Sequence, residues 1–99
     1  MKLHPDVQAL SEAMHDIEAF LRSHNESFWA DHVEHCVAFI DRSDAYGLSK
    51  FLSLFGGMGS LNDLVLHRNG SPLPDETDHL RALTDRAWRL ATDLTRESL

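Results

Sequence analysis

The segment that interrupts the helical pattern of this chain reads LFGGMGSLNDLVL, residues 54–66. Three of the five glycines fall within four positions here, between two apolar runs. Glycine loses more conformational freedom on folding than any other residue, so such a cluster indicates positive φ or close packing of the backbone. We therefore predict a packed joint, followed by a short helix or turn that Ser60 caps and Asp63 supports from the capping-box position.

Apolar residues recur at helical spacing on both sides of this joint. The first predicted helix starts at Pro5, which suits the first turn because its missing N–H would have no partner there. The second runs from about Phe28 to Arg42, after a link in which Asn25 and Ser27 are the candidate caps. A link this short predicts that the two helices are antiparallel neighbours.

A third, shorter helix is predicted before the joint, with Ser43 or Asp44 as its cap and Gly47 weakening its first turn. Residues 64–66 are apolar, and we interpret them as a helical turn because the sequence offers no second strand to satisfy their backbone groups. Residues 67–74 contain Asn-Gly and two prolines, which predict a loop.

The last predicted helix spans about Glu76 to Glu97, and the acidic residues at its start suit the positive end of the helix dipole. The predicted fold class is therefore all-α: a compact bundle of about four helices, three longer and one short after the Gly-rich joint. Helices 1, 2 and 4 are expected to form the main core, with Trp29 and Trp88 filling it. With 99 residues, near the common domain size, residues 1–99 are predicted to form a single helical domain.

Negative charge is concentrated in the first half of the chain. The formal net charge is -7, and residues 1–42 hold three basic and eight acidic side chains, a net charge of -5. Such a field repels the phosphates of nucleic acids and anionic lipids and attracts basic proteins. We predict a basic protein partner, no nucleic acid and no membrane. The predicted contacts on the outer face of helices 1 and 2 are Glu12, Asp16, Asp31, Glu34 and Asp41.

The joint supplies three further candidate contacts, Met58, Asn62 and Asp63. An apolar side chain flanked by glycines, such as Met58, either plugs the core or presents a flexible contact to a partner. The sequence leaves open whether the joint is structural or a contact surface, and it leaves the oligomeric state unknown.

Seven histidines suggest a metal site, and His32, His35 and Cys36 are the densest candidates. However, Cys36 lies on the predicted apolar stripe while His35 lies off it, so three ligands do not converge. Cys36 also lacks an oriented base, so no nucleophile is assigned. We therefore predict no cofactor, no metal and no enzymatic activity, and keep a small metal-binding protein or enzyme that uses His32 and His35 as an alternative.

Cys36 is the only cysteine, so no disulfide can form within the chain, and a reducing compartment is expected. No apolar run follows Lys2, so we expect no secretory signal, and no run approaches the length of a membrane span. Together these observations predict a cytoplasmic protein.

Residues 54–66, with the core GGMGSLND and the apolar triplet after it, resemble the most distinctive segment of a small bacterial helical family of uncharacterised function. Size, acidity and helical build are also similar to those of immunity proteins, which bind and block a cognate bacterial toxin. That likeness implies an inhibitor of a secreted toxin domain and implies no catalytic residues. A self-associating structural module, with a two-fold interface at Trp29 or at the joint, is the remaining alternative.

Overall fold

The computed structural model describes residues 4–56 and 60–97, and within them it confirms the all-α prediction. The four helices are α1 (Pro5–Ser23), α2 (Ser27–Asp41), α3 (Tyr46–Leu52) and α4 (Pro74–Glu97). The third, shorter helix predicted before the joint is α3, so that prediction is confirmed. The short helix or turn predicted after the joint is only one turn long. A single 3-10 turn, Leu61–Asp63, follows the joint.

Local residue chemistry accounts for α1 and only in part for α2. Pro5 occupies the first turn of α1, and the backbone N–H of Asp6 donates to Nδ1 of His4 over 3.2 Å. The predicted caps of α2 were wrong: the cap residue is Glu26, and no side chain caps the helix. Asn25 instead takes a φ of 60°, which reverses the chain between the two helices.

The helices pack so that α1 lies against α2 and α4, while α3 lies between α2 and α4. The buried stripe of α1 consists of Leu10, Ala13, Met14, Ile17 and Leu21. The prediction that helices 1, 2 and 4 supply the core was incomplete. Phe51 of α3 is fully buried, as is Leu66 beyond the joint, and both belong to the same hydrophobic cluster.

Gly47 lies where α3 crosses α2, and the prediction that it simply weakens the helix missed its role. A Cβ built on Gly47 would lie 2.9 Å from both Ile40 Cδ1 and Phe39 Cβ, and 3.1 Å from the Cys36 carbonyl oxygen. Only glycine allows this approach, because any side chain would occupy the space that α2 fills. The predicted caps of α3 were wrong, because its cap residue is Ala45 and no side chain caps the helix. Asp44, one residue earlier, accepts from the Tyr46 N–H through its Oδ1 over 3.0 Å.

The helical turn predicted for residues 64–66 and the loop predicted for residues 67–74 were both wrong. Leu64 is extended, and His67–Arg68 (β1) pairs antiparallel with Ser71–Pro72 (β2). Asn69 and Gly70 connect them with φ of 52° and 82°, the two positive values of a type I′ hairpin turn. This hairpin leads directly into α4, which begins at Pro74, two residues before the predicted start.

The two tryptophans differ in burial. Trp29 is partly buried and packs against the hydrophobic cluster, as predicted. Trp88 is 43% exposed, so the prediction that it fills the core was wrong. In the part of the chain that the structure describes, no helix has the length and apolarity needed to cross a bilayer.

Candidate partner-binding surface

A line of charged side chains follows the boundary between α1 and α2, and we call Glu18, Arg22, Asp31, Glu34 and Asp41 the acidic seam. Arg22 Nη2 donates to Asp31 Oδ1 over 3.1 Å and to Glu34 Oε2 over 2.8 Å. Its Nε donates to Glu18 Oε2 over 3.0 Å. One guanidinium therefore joins three carboxylates across two helices.

These carboxylates shift the titration of the arginine. The hydrogen bond to Glu18 contributes most, that to Asp31 comes next, and together they raise the pKa of Arg22 above its ordinary value. Asp31 and Glu34 nevertheless stay largely in solvent, with 70% and 65% of their side chains exposed. Their oxygens thus remain accessible to a second cation.

Asp41 lies at the end of the acidic seam that is farther from Arg22. Ser11 Oγ, on a side chain buried at the helix boundary, donates to Asp41 Oδ1 over 2.5 Å. His15 Nε2 lies 3.4 Å from Asp41 Oδ2, and its Nδ1 lies 3.9 Å from Glu18 Oε1. These contacts fix the register of α1 against α2, so the carboxylates of both helices share one ridge.

The structure thus brings three of the predicted acidic contacts, Asp31, Glu34 and Asp41, onto one ridge. Glu12 and Asp16 are exposed on α1 but do not belong to the acidic seam. Asp16 lies one turn before Phe20, which contacts His79 of α4, so it is on the flank of α1 next to α4. The acidic seam holds four carboxylates, Glu18, Asp31, Glu34 and Asp41, and the guanidinium of Arg22 is paired with the first three. A surplus of negative charge therefore persists after Arg22 is paired.

The joint lies on the other side, against α4. Asn62 Oδ1 accepts from the Gly56 N–H over 3.2 Å and from Ser60 Oγ, and the Asn62 carbonyl accepts from Arg81 of α4. The predicted capping box is wrong, because the Ser60 side chain does not cap the 3-10 turn. Asn62 instead holds the joint together through these hydrogen bonds. It does not lie close to the acidic seam.

Asp63 is exposed, and within residues 4–56 and 60–97 its carboxylate accepts no hydrogen bond. Met58 lies outside the described residues. An open cleft of about 400 Å³ separates the joint from α4 and is lined by Leu52, Phe55, Asn62 and Trp88 among others. A contact role for Met58, Asn62 and Asp63 stays a prediction.

We expect Asn62→Ala to lower the free energy of unfolding by about 1 kcal/mol, because two donors lose their shared acceptor. Asn62→Asp keeps an oxygen at that position and serves as the matched control, with a smaller loss. Asp63→Ala should leave stability nearly unchanged. Urea unfolding of the three variants measures these differences, and an Asp63→Ala loss equal to that of Asn62→Ala would restore the capping role for Asp63.

The histidines and the cysteine of α2 point in different directions. His32 and His35 are exposed, whereas Cys36 is fully buried. No three His, Cys, Asp or Glu side chains among the described residues lie close enough to hold a metal ion. Burial raises the pKa of the Cys36 thiol, and the positive charge of Lys50 offsets part of that rise. The thiol is therefore protonated and shielded from solvent.

A family model described as a domain of unknown function, DUF6966, matches residues 22–74, just over half of the chain. The chain belongs to the DUF6966 family. This agrees with the predicted resemblance to an uncharacterised family, whereas the likeness to immunity proteins stays a prediction. No curated protein and no solved structure matches the chain.

The DUF6966 match contains most of the candidate surface. It covers Arg22, the acidic residues of α2 and the whole joint, and it leaves out Glu12 and Asp16 of α1. Sequence reasoning missed Arg22, although it is the only basic residue between Lys2 and Arg42. A lone cation within an acidic stretch was the available signal, since such a residue is well placed to bridge carboxylates.

Proposed function

We propose that this DUF6966 member is a non-enzymatic binding protein of the immunity type, which neutralises a basic toxin domain through the acidic seam. The single observation that carries the proposal is the surplus of exposed carboxylates on α1 and α2 after Arg22 has been paired. Complementary charge speeds association and excludes partners of the wrong sign. A cytoplasmic location forms part of this proposal, in keeping with the single, buried Cys36.

The geometry of the acidic seam supports a protein partner over a simple ion. Asp31 and Glu34 are held on one side by Arg22 and face solvent on the other. A lysine or arginine of a partner can therefore approach carboxylates whose positions are already fixed, which reduces the entropy lost on binding. A ridge shared by two helices also matches the size of a protein contact better than a pocket for a small molecule.

The first experiment is affinity purification of the full chain from its native host, followed by kinetics with the captured partner. We expect Asp31→Asn combined with Glu34→Gln to slow association about tenfold at low salt and to flatten its salt dependence. The matched control is Asp78→Asn with Asp85→Asn, which removes two exposed charges from α4. This control should keep the association rate of the unmodified chain.

Two results would contradict the proposal. The first is a captured partner that is itself acidic. The second is an equal change in association rate for the α4 control and the acidic-seam variant, because net charge alone would then explain the change. A neighbouring gene that encodes a large secreted toxin would support the toxin assignment directly. Inhibition of that toxin by the purified chain, and its loss in the Asp31/Glu34 variant, completes the test.

A further inference from the structure

A second row of side chains follows the flank of α2 opposite the acidic seam. We call Phe28, His32, His35 and Phe39 the aromatic–histidine stripe. The rings of Phe28 and His32 meet edge to face with centroids 4.5 Å apart, and those of His35 and Phe39 do so at 5.4 Å. Phe28 is 65% exposed, which is unusual for phenylalanine, and both histidines are also exposed.

The spacing within this stripe is four, three and four residues, with an aromatic ring at each end and a histidine at each inner position. The order is therefore the same when α2 is followed in either direction. In a two-fold interface the same patch meets itself in the opposite direction, so with this order each phenylalanine can meet a phenylalanine and each histidine a histidine. An alternation of three and four is also the spacing that lets two helices pack side by side along a seam.

We propose that a second copy of this chain docks on the aromatic–histidine stripe, with the two α2 helices antiparallel. Phe28 then lies opposite Phe39 of the second copy, and His32 lies opposite its His35. Buried aromatic residues carry a large share of the binding energy of protein interfaces, and two-fold symmetry makes each contact occur twice. The stripe contains no Asp, Glu, Lys or Arg, so it does not place like charges against each other.

Charge complementarity at the two ends supports this register. Arg42 sits over the ring of Phe39 at 4.8 Å from its centroid and forms no ion pair within the described ranges. The same register places Arg42 opposite Asn25 of the second copy, next to the acidic Glu26 at the uncapped start of α2. Tyr46 extends the surface, with its ring 4.9 Å from that of Phe39 and with 54% of the residue exposed.

This inference is independent of the proposed function, because the acidic seam lies on the other flank of α2. Each copy of the dimer keeps its acidic seam exposed. Loss of dimerisation and loss of partner binding are therefore separable outcomes.

Sedimentation velocity over a range of concentrations tests the dimer. Phe28→Ala removes an exposed ring and should raise the dimer dissociation constant at least about tenfold, because the contact occurs twice. Trp88→Ala is the control, since this ring is also exposed but belongs to α4. A chain that remains monomeric at about 100 µM, or an equal effect of both variants, overturns the proposal.

Cysteine cross-linking tests the antiparallel register. Chains carrying His32→Cys or His35→Cys are oxidised alone and as a mixture, with tags of different length. We expect the mixture to give the 32-to-35 cross-link and each variant alone to give much less. The first control is Ala38→Cys, which is exposed on the same flank of α2 as the acidic seam and should form no cross-link. The second control is the unmodified chain, which shows whether the buried Cys36 cross-links by itself. Cross-linking of each variant with itself, and not in the mixture, would show a parallel pair and overturn the proposed register.

Discussion

We expect Phe51→Ala to lower the free energy of unfolding by about 3 to 5 kcal/mol, the largest single effect in this molecule. Phe51 is fully buried, and it is the main residue through which α3 enters the hydrophobic cluster. Removing its ring eliminates apolar burial and leaves a cavity that the surrounding helices cannot fully close, because α3 is packed against both α2 and α4. Equilibrium unfolding in guanidinium chloride, monitored by circular dichroism, measures the loss.

Phe55→Ala is the matched control for this experiment. Its ring meets that of Phe51 edge to face at 5.2 Å but is only partly buried beside the joint. The loss should therefore be clearly smaller, because less apolar surface leaves water at that position. Equal losses at both positions, or a loss below about 1 kcal/mol for Phe51→Ala, would mean that α3 is not anchored as described.

The second large effect concerns Gly47→Ala, which should destabilise the fold by about 1 to 3 kcal/mol. Alanine is a better helix former than glycine by roughly 1 kcal/mol, so an exposed glycine in a helix would show the opposite sign. Here the added methyl meets Phe39 Cβ and the Cys36 carbonyl, which are fixed to the backbone of α2. Only the third neighbour, Ile40 Cδ1, can swing away.

Ser49→Ala is the control for Gly47→Ala, because Ser49 is exposed on the same helix. This variant should keep or slightly raise the free energy of unfolding, as helix propensity alone predicts. A stabilised Gly47→Ala protein, measured in the same denaturant titration, would contradict the close approach of α3 to α2.

The helical spacing of apolar residues was sufficient to predict α1, because these residues form one continuous stripe that is buried in the structure. It was insufficient where tertiary contacts determine the conformation. In the sequence Gly47 is only a weak helix former, and its close packing against α2 depends on the tertiary structure. Asn69-Gly70 is a strong hairpin signal, but β1 and β2 contain two residues each and lack the alternating apolar pattern of strands.

For the candidate surface, the sequence predicted which carboxylates are exposed, because amphipathic helices leave their charged faces in solvent. It did not predict that Arg22 joins Asp31 and Glu34, since that contact depends on the register between α1 and α2. The Ser11 to Asp41 hydrogen bond depends on the same register. Within one helix, by contrast, the spacing of Phe28, His32, His35 and Phe39 is readable from the sequence, because it depends on no contact with another helix.

The link between α1 and α2 spans only residues 24–26, and this shortness has a consequence for the order of folding. Closing a short loop loses little chain entropy, and contacts between residues near in sequence form fast. During synthesis the α1–α2 hairpin can therefore close, with Arg22 bridging it, as soon as Asp41 has left the ribosome. The face of α1 that α4 covers stays open to water until Leu80, Ala87 and Ala91 arrive. Because α4 follows the other three helices in the chain, the nascent protein carries an unprotected apolar face until α4 has been made.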